Sequence, residues 1–414
     1  MLVGHELRGV DFWKVEGIIK CKVLPPQNLY HPVLPMKQND KLMFSLCRTC
    51  SEGLNQEECR HTNEERAMIG TWVADEVRKA VQMGYQITEI YEIWQYTTER
   101  YDPLTKAGGL FTGLMNRFIK IKQEASGWPA GCETEDGKRA YVEEYLQREG
   151  VQLDTLAVEK NAGLRSLAKL ILNSFWGKFG QRENQPKVSI VTDPAEFRKM
   201  FTDPSLLVNH ITDVNEDHIL VNWEHREECI DALPTVNVAI AAYTTAQARL
   251  KLYSYLELLG ARVLYYDTDS VIYVSEDGGP QVQTGSFLGE MTDELEEYGP
   301  GSYIEEFCSA GPKNYAYLVR TPCKAEPSVV CKVKGIRLTY AATQQVNLNT
   351  MRDLILDNGE PVYVRARQFR RTQEIDVVTK TESKVFRVSS TKRRFLPDHS
   401  SIPYGFKRKY DQTD

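Results

Sequence analysis

Two aspartates, Asp267 and Asp269, are the residues of this sequence best suited to bind a catalytic metal ion. They lie in the run Tyr265-Tyr-Asp-Thr-Asp-Ser270, between two hydrophobic runs of β type. Because side chains alternate along an extended chain, both carboxylates are predicted to face one site. Hard divalent ions take carboxylate and phosphate oxygens, and two such ions promote in-line displacement at phosphorus. An acidic hairpin turn without a metal is the alternative.

A second set of candidate residues lies on a predicted helix. Arg165, Lys169 and Asn173 are spaced four residues apart, so they share one helix face opposite a Leu/Ile stripe. Such a cationic face could hold a triphosphate and neutralise charge that develops on a transferred phosphoryl group. The alternative is an amphipathic surface helix whose Arg and Lys side chains are solvated.

A third set consists of soft metal ligands. Cys47-x-x-Cys50 and Cys59-x-His61 place three thiols and one imidazole within fifteen residues. Together they predict a tetrahedral Cys3His zinc site, which is structural because four protein ligands leave no open position. The single residue between Cys59 and His61 is short for an ordinary zinc knuckle, and unpaired thiols in a surface loop are the alternative.

The C-terminal part of the chain is basic, although the net charge of the whole chain is −6. Residues 361–414 hold thirteen Lys and Arg against six Asp and Glu, and the preceding residues hold 38 against 51. This asymmetry indicates either a polyanion partner for the C-terminal end or a solvated charged surface. Upstream of it, the run Lys313-Asn-Tyr315-Ala-Tyr317 predicts a strand with both tyrosines on one face.

The elements that must position these residues are mixed helices and strands. Strands are predicted at Gly17–Leu24, which ends at two prolines, at Ile87–Tyr96, in short pieces over Val188–Trp223, and on both sides of the aspartate turn. Helices are predicted over Thr71–Met83, over most of 110–179 with a break at 126–132, and over 236–259. The predicted fold class is therefore α+β.

Composition and length exclude several classes of protein. The chain has 414 residues, of which 42% are hydrophobic and 26% charged, and these proportions are typical of a globular protein with two to four domains. It contains neither a membrane-spanning apolar run nor an N-terminal signal peptide. Nine cysteines without a secretory signal indicate reduced thiols or metal ligands. These observations predict a soluble intracellular protein.

The complete runs around the candidate residues resemble motifs of family B DNA polymerases. Tyr265–Ser270 is similar to the motif Y-x-D-T-D-S, which implies that Asp269 is the metal-binding catalytic carboxylate and that Asp267 has a lesser role beside it. Residues Lys169–Gly177 are similar to the fingers motif K-x-x-x-N-S-x-Y-G. Trp176 replaces the tyrosine of that motif, so a flat aromatic face is kept and a hydroxyl is lost.

The same resemblance implies which residues contact the substrates. Those for the incoming nucleotide are Lys122, Arg165, Lys169, Asn173 and Trp176. Those for DNA are Lys313 and Tyr315 of a K-x-Y element, Lys334 and Gly335 of a K-G element, and Lys392, Arg393 and Arg394 of a basic thumb. Basic residues with interleaved aromatics suit contacts to the DNA backbone, which are independent of sequence.

The resemblance also implies an architecture, that of a right-hand polymerase with an antiparallel palm sheet, helical fingers and a small thumb. The expected division is a palm segment with the Cys/His insertion over 1–105, fingers over 106–185, palm with the aspartate hairpin over 186–334, and thumb over 335–414. The implied reaction is attack of a primer 3′-hydroxyl on the α-phosphorus of a dNTP, with Mg²⁺ or Mn²⁺ as cofactor.

The likeness is greatest to the protein-primed branch of the family, found in viruses and in large self-synthesising DNA transposons. It implies primer-template DNA, dNTPs and a terminal protein primer as partners, no membrane, and a nuclear or viral replication site as location.

One motif of the family is absent from the sequence. The family's D-x-x-S-L-Y-P supplies the other main metal ligand, whereas Leu29-Tyr-His-Pro32 has no acid at the required place, and the acids of a 3′–5′ exonuclease are also absent. The chain therefore resembles a C-terminal fragment, which we expect not to polymerise alone. Two other hypotheses stay open: a non-catalytic DNA-binding remnant of such a polymerase, and a zinc-dependent interaction module around Cys47–His61.

Overall fold

The computed structural model describes residues 1–3, 10–129, 131–230, 233–285, 287–357, 359–372, 376–389 and 391–408. Residues 409–414 of the predicted basic C-terminal stretch lie outside this range. The chain forms two compact units. The first unit comprises 1–178, 239–297 and 391–414, and the second comprises 179–238 and 298–390.

Ten α-helices and twenty strands make up the described part of the chain. The helices are α1 Arg48–Glu52, α2 Asn63–Arg66, α3 Ala74–Gln82, α4 Thr112–Glu124, α5 Glu135–Glu149, α6 Ala162–Ser174, α7 Pro194–Thr202, α8 Val238–Leu259, α9 Tyr340–Thr343 and α10 Leu348–Leu356. The strands are β1 Leu2–Val3, β2 Gly17–Leu24, β3 Met36–Gln38, β4 Lys41–Met43, β5 Met68–Val73, β6 Gln86–Gln95, β7 Tyr101–Asp102, β8 Ala107–Gly108, β9 Lys187–Val191, β10 Leu206–Asn215, β11 His218–His225, β12 Val263–Asp267, β13 Ser270–Tyr273, β14 Tyr303–Gly311, β15 Asn314–Arg320, β16 Ser328–Val333, β17 Val362–Arg371, β18 Val377–Phe386, β19 Arg394–Phe395 and β20 Ser401–Ile402.

The first unit is built on an antiparallel sheet with the strand order β1-β6-β2-β5. The predicted strand at Gly17–Leu24 is confirmed with the same bounds as β2, and its alternate residues Ile19, Cys21 and Val23 are buried. These side chains form one core with residues of α3 and α8. The alternation of the sequence therefore buries one face of the sheet under two helices.

The predicted helix at Thr71–Met83 begins later than expected. The chain stays extended through Val73 as β5, and the helix α3 starts only at Ala74. In β5, Trp72 lies opposite Ile19 of β2, and its indole N–H donates to the carbonyl of Pro35 at 2.7 Å. Sheet pairing and a buried tryptophan thus override the helical pattern of the first three residues.

Helices α4, α5 and α6 surround a separate small core of the first unit. Buried Ile119 of α4 packs there with Val142 and Tyr145 of α5. The predicted break lies between Glu124, the last residue of α4, and Glu135, the first of α5. The side chain of Asn161 caps α6 by accepting from the N–H of Leu164.

The second unit contains two three-stranded sheets and a long hairpin. The sheets have the orders β10-β11-β9 and β14-β15-β16, and β17 pairs with β18. The predicted short strands within 188–223 are confirmed by the first of these sheets. A core around Met351 of α10, Ala316 of β15 and Val364 of β17 ties helix, sheet and hairpin together.

The α+β class is confirmed by these antiparallel sheets and separate helices. The right-hand arrangement and its four boundaries stay predictions. The predicted thumb, 335–414, is divided between the units, since 335–390 belongs to the second and 391–414 to the first. No helix among the described residues is both long and apolar enough to cross a membrane.

Candidate functional site

The aspartate turn is the tip of a two-stranded hairpin. β12 and β13 pair antiparallel, with Tyr266 opposite Val271 and Asp267 opposite Ser270. The Asp267 carbonyl accepts from the N–H of Asp269 at 2.6 Å and from the hydroxyl of Ser270 at 3.2 Å. These bonds fix the backbone of the tip, where Asp269 is exposed and Asp267 is half-buried.

Thr268 holds an unfavourable backbone conformation between the two acids. Its φ of 54° lies in the left-handed region, which a β-branched residue rarely adopts. Its hydroxyl donates to Oδ1 of Asp267 at 3.0 Å, which orients that carboxylate. Backbone strain of this kind persists where the surrounding bonds impose it, and it clusters at functional sites.

Directly before its tip, the hairpin packs on the core of the first unit and on a buried histidine. Tyr266 packs against the main core of the first unit and meets the ring of His31 edge-on at 5.9 Å. Nε2–H of His31 donates to the carbonyl of Gly260 at 2.8 Å, just before β12. Burial lowers the pKa of His31 to about 4, so the imidazole is neutral at pH 7. His31 could not be predicted from the sequence, because an isolated histidine carries no spacing signal.

Three of the predicted phosphate-binding residues come together on neighbouring helices. Burial lowers the pKa of the Lys122 ammonium on α4, and the positive charges of Arg165 and Lys169 on α6 lower it further. Nε–H of Arg165 donates to the hydroxyl of Ser126 at 3.0 Å, which ties α6 to the residues that follow α4. Because like charges repel one another, an anion bound among these three cations would be stabilised.

Asn173 and Trp176 lie at the C-terminal end of the same helix. Asn173 is exposed, and its backbone carbonyl accepts from the indole N–H of Trp176 at 2.9 Å. Trp176 is half-buried in the short 3-10 helix Phe175–Gly180 that follows α6. The indole N–H thus has a partner within the chain.

In the second unit, Lys313 and Tyr315 lie at a tight turn between β14 and β15. Lys313 has a φ of 60° in this turn. The prediction that Tyr315 and Tyr317 share one face is confirmed, because their rings stack at 6.2 Å with an interplanar angle of 13°. Tyr317 is buried, and Lys332 lies over the Tyr315 ring at 5.7 Å.

Lys334 and Gly335 follow β16 in the same sheet. The backbone N–H of Lys334 donates to the side-chain oxygen of Asn314 at 2.8 Å, which joins this element to the turn of Lys313. Gly335 has a φ of 79°, and its carbonyl accepts from the ammonium of Lys384 on β18. The K-x-Y and K-G elements are therefore neighbours.

The basic run Lys392–Arg394 lies in the first unit, where both arginines make contacts within the chain. Arg393 donates to the hydroxyl and the carbonyl of Ser401, each at 3.0 Å, and its guanidinium lies over the ring of Tyr30 at 5.4 Å. Nε–H of Arg394 donates to the carbonyl of Gln56 at 2.7 Å. Part of their donor capacity is thus used in holding the C-terminal segment.

The four cysteine and histidine ligands form one cluster. The ligand atoms of Cys47, Cys50, Cys59 and His61 all lie within 4.8 Å of one another. Nδ1 of His61 is 3.5, 3.2 and 3.7 Å from the sulfurs of Cys47, Cys50 and Cys59. Around a tetrahedral zinc ion, sulfur and nitrogen ligands are about 3.6 Å apart, so the set fits this metal. His61 therefore lies close to all three thiols despite the short Cys-x-His spacing.

The thiols of this cluster perturb one another. The Cys47 thiol donates to Cys50, which lowers the pKa of Cys50 to about 5 and raises that of Cys47. The backbone N–H of Cys50 also donates to the sulfur of Cys47 at 3.4 Å, as the first turn of α1 begins. A thiolate is therefore favoured in the cluster, and thiolates are the form of cysteine that binds metals.

A comparison with protein families relates part of this chain to polymerases. Residues 139–257 match the family described as DNA polymerase type B, organellar and viral. This segment is therefore similar to part of a type B DNA polymerase. It contains α6 with Arg165, Lys169, Asn173 and Trp176, and it ends before the aspartate hairpin. No curated protein and no solved structure matches the chain.

Proposed function

We propose that the chain carries a nucleotidyl-transfer site of a DNA-directed DNA polymerase. The observation that supports this most directly is the convergence of Lys122, Arg165 and Lys169 on two neighbouring helices, one of them within the polymerase-related segment. In the reaction, a primer 3′-hydroxyl attacks the α-phosphorus of a template-selected dNTP, the bond to the β-phosphate oxygen breaks, and pyrophosphate leaves.

In this proposal the three cations bind the triphosphate and Trp176 lies against the nascent base pair, with Asn173 beside it. Lys122 is the half-buried member, so its charge is the least screened and is expected to contribute most to dNTP affinity. The cations would also neutralise the charge that develops on the leaving pyrophosphate.

Asp269 and Asp267 are the proposed ligands of Mg²⁺ or Mn²⁺. Two carboxylates at a hairpin tip fit such an ion, which takes one or two protein carboxylates and completes its shell with water and substrate phosphates. When bound, the metal would act as a Lewis acid at the transferred phosphoryl group. The residues themselves contribute fixed orientation, since Thr268 bonds to Asp267 and the backbone of Asp267 bonds to Asp269.

For DNA, we propose backbone contacts by the two neighbouring elements of the second unit, with Lys313, Tyr315, Lys334 and Gly335. Lys392, Arg393 and Arg394 are the proposed DNA contacts of the C-terminal run, and the bonds that Arg393 and Arg394 make within the chain would also position that segment. A protein-primed mode with a terminal protein, and a viral or nuclear replication site, complete the proposal.

One observation favours the second candidate, a DNA-binding remnant without catalysis. Among the described residues, the cysteine and histidine cluster is the only group of three or more potential ligands close enough to hold one ion. Within the part of the chain that the structure describes, Asp267 and Asp269 therefore have no third acid in that reach, although the family uses acids from two motifs. We therefore expect the chain to bind dNTP and primer-template but not to extend a primer alone.

The same cysteine and histidine cluster is proposed to hold a structural Zn²⁺. Its buried thiols and its tetrahedral spacing support this assignment, and the four protein ligands leave no position for chemistry.

The test separates nucleotide binding from catalysis. With Mg²⁺ present, binding of a fluorescent dNTP analogue is expected to weaken at least ten-fold in Lys169→Met. The control Lys199→Met removes another exposed charge, from α7 outside the proposed site, and should bind as the wild type does. Equal affinity in wild type and Lys169→Met would refute the proposed phosphate site.

Primer extension on the same preparations decides between the two candidates. No extension, with dNTP and DNA binding retained, is expected for the chain alone. Extension by the wild type would instead exclude the remnant, and it should then be lost in Asp269→Asn and kept in Asp277→Asn, a control in the exposed loop after β13. Extension that survives in Asp269→Asn would refute the catalytic assignment.

A further inference from the structure

The C-terminal segment 391–408 folds back onto the cysteine and histidine cluster of the first unit. Tyr404 is fully buried and packs in one small core with Cys47, Cys50 and Cys59. Its carbonyl accepts from the backbone N–H of Leu46 at 2.7 Å, immediately before the first ligand. Residues more than 340 positions apart in the chain thus share one core with the metal ligands.

The loop between Cys50 and Cys59 binds this segment through one residue, Gln56. The amide of Gln56 donates to the hydroxyl of Tyr404 at 3.2 Å, and its side-chain oxygen accepts from the N–H of Phe395 at 2.9 Å. The backbone carbonyl of Gln56 accepts from Arg394 at 2.7 Å. Three bonds to the segment therefore depend on the shape of a loop that Cys50 and Cys59 delimit.

Close packing at Gly405 brings the segment against a ligand residue itself. Gly405 has a φ of 88°, and a Cβ at this position would lie 2.5 Å from Cβ of Cys47 and 2.7 Å from its backbone nitrogen. No side chain fits there unless the segment or the first ligand moves. The docked position of 391–408 and the geometry of the cluster consequently depend on each other.

We propose that Zn²⁺ bound by Cys47, Cys50, Cys59 and His61 is a clasp that holds the C-terminal segment on the first unit. The inference rests on the zinc site proposed above and is independent of nucleotidyl transfer. On binding, the ion displaces the thiol protons, and it joins both ends of the Gln56 loop to one centre. Without the ion, the loop loses this link and the segment is released.

Thermodynamic linkage gives the clasp a second, reciprocal property. If zinc favours docking of the segment by some factor, docking must favour zinc binding by the same factor. A substitution that prevents docking without touching any ligand should therefore weaken zinc affinity.

The experiment measures metal content and hydrogen exchange on the purified full chain. The wild type is expected to hold one zinc per chain, and peptides within 391–408 are expected to be protected. Cys50→Ser should lose the zinc and raise exchange of those peptides at least ten-fold, whereas the exposed Cys229→Ser should change neither. Peptides of β2 serve as the internal reference, and their unchanged exchange shows that the first unit remains folded.

A second pair of variants tests the docking without altering a ligand. Gly405→Ala should release the segment and weaken zinc retention against a chelator. Gly278→Ala has a similar φ of 75° but no atom within 4 Å of the added Cβ, so it should do neither. A wild type without zinc, or unchanged protection of 391–408 after zinc is lost, would overturn the proposal. Neither result depends on polymerase activity.

Discussion

Acid should destabilise the first unit through one buried histidine, His31. This residue is 5% exposed, its Nε2–H donates to Gly260, and burial lowers its pKa from 6.5 to about 4. The nearby charge of Arg393 acts in the same direction. In the unfolded chain the imidazole is solvated and titrates near its usual pKa. Between the two pKa values the unfolded state therefore binds more protons than the folded state, so the free energy of unfolding falls as pH falls.

The size of the effect follows from the two pKa values. The contribution of His31 is fully present above about pH 6.5 and is lost progressively as the pH approaches 4. The difference between the two pKa values corresponds to a total loss of about 3 kcal/mol in the free energy of unfolding. About 2 kcal/mol of this is lost by about pH 5. This is a large fraction of the stability of a typical domain.

The assay is urea unfolding at several pH values, followed by tryptophan fluorescence. Five of the six tryptophans belong to the first unit, so the signal reports mainly on that unit. His31→Gln keeps an amide donor for Gly260 but does not titrate, and other groups contribute equally to both proteins. The wild type should therefore lose about 2 kcal/mol more than the variant between about pH 7.5 and about pH 5. Parallel pH profiles of the two proteins would refute the reasoning.

Two further substitutions test other parts of the first unit by the same urea assay. Arg249→Met should lower the free energy of unfolding by about 3 kcal/mol, because Nε–H of Arg249 donates at 2.7 Å to Glu76, whose carboxylate is buried at 2% exposure. The double variant with Glu76→Gln should recover most of that loss, and no recovery would contradict the role of the ion pair. Thr268→Gly should leave the free energy of unfolding unchanged or raise it by up to about 1 kcal/mol, because glycine adopts a positive φ without strain. A loss of about 1 kcal/mol or more would contradict the expectation that relief of strain dominates the lost bond to Asp267.

Elements with a short-range pattern could be predicted from the sequence. The alternation of Gly17–Leu24 gives β2 directly, and the two hydrophobic runs around Asp267–Ser270 give the hairpin. The helix predicted from Thr71 is wrong in its first turn. The helical pattern of the sequence extends into residues that instead pair with a neighbouring strand. The extended conformation of Trp72 depends on pairing with β2 and on the hydrogen bond to the carbonyl of Pro35. Neither partner can be identified from the residues next to Trp72 in the sequence.

From the spacing of residues, only the parts of the candidate site that lie within one segment of the chain could be predicted. The four-residue spacing of Arg165 and Lys169 places both on α6, and Lys122 of α4 joins them through the packing of the two helices. The charge of the basic run Lys392–Arg394 is evident from the sequence, and its contact with DNA stays a prediction. In the structure, Arg394 bonds to Gln56, a residue more than 330 positions away. The amino-acid composition shows the charge of such a segment, but it does not show which distant residues the charged side chains bond to in the folded chain.

A chain of contacts in the first unit connects the C-terminal segment to the aspartate hairpin. The guanidinium of Arg393 lies over Tyr30, Tyr30 meets His31 edge-on at 4.9 Å, and His31 meets Tyr266 at 5.9 Å, one residue before Asp267. A cation–π or aromatic contact of this kind contributes about 0.5–1.5 kcal/mol. Coupling that these contacts transmit is expected to be of the same order, about 1 kcal/mol, or roughly five-fold in an equilibrium. If Asp267 binds a metal ion as proposed, release of the segment should shift the affinity for that ion by a few-fold at most. A complete loss of Mg²⁺ or Mn²⁺ binding at the aspartate hairpin after zinc removal would require a different connection between that hairpin and the zinc cluster.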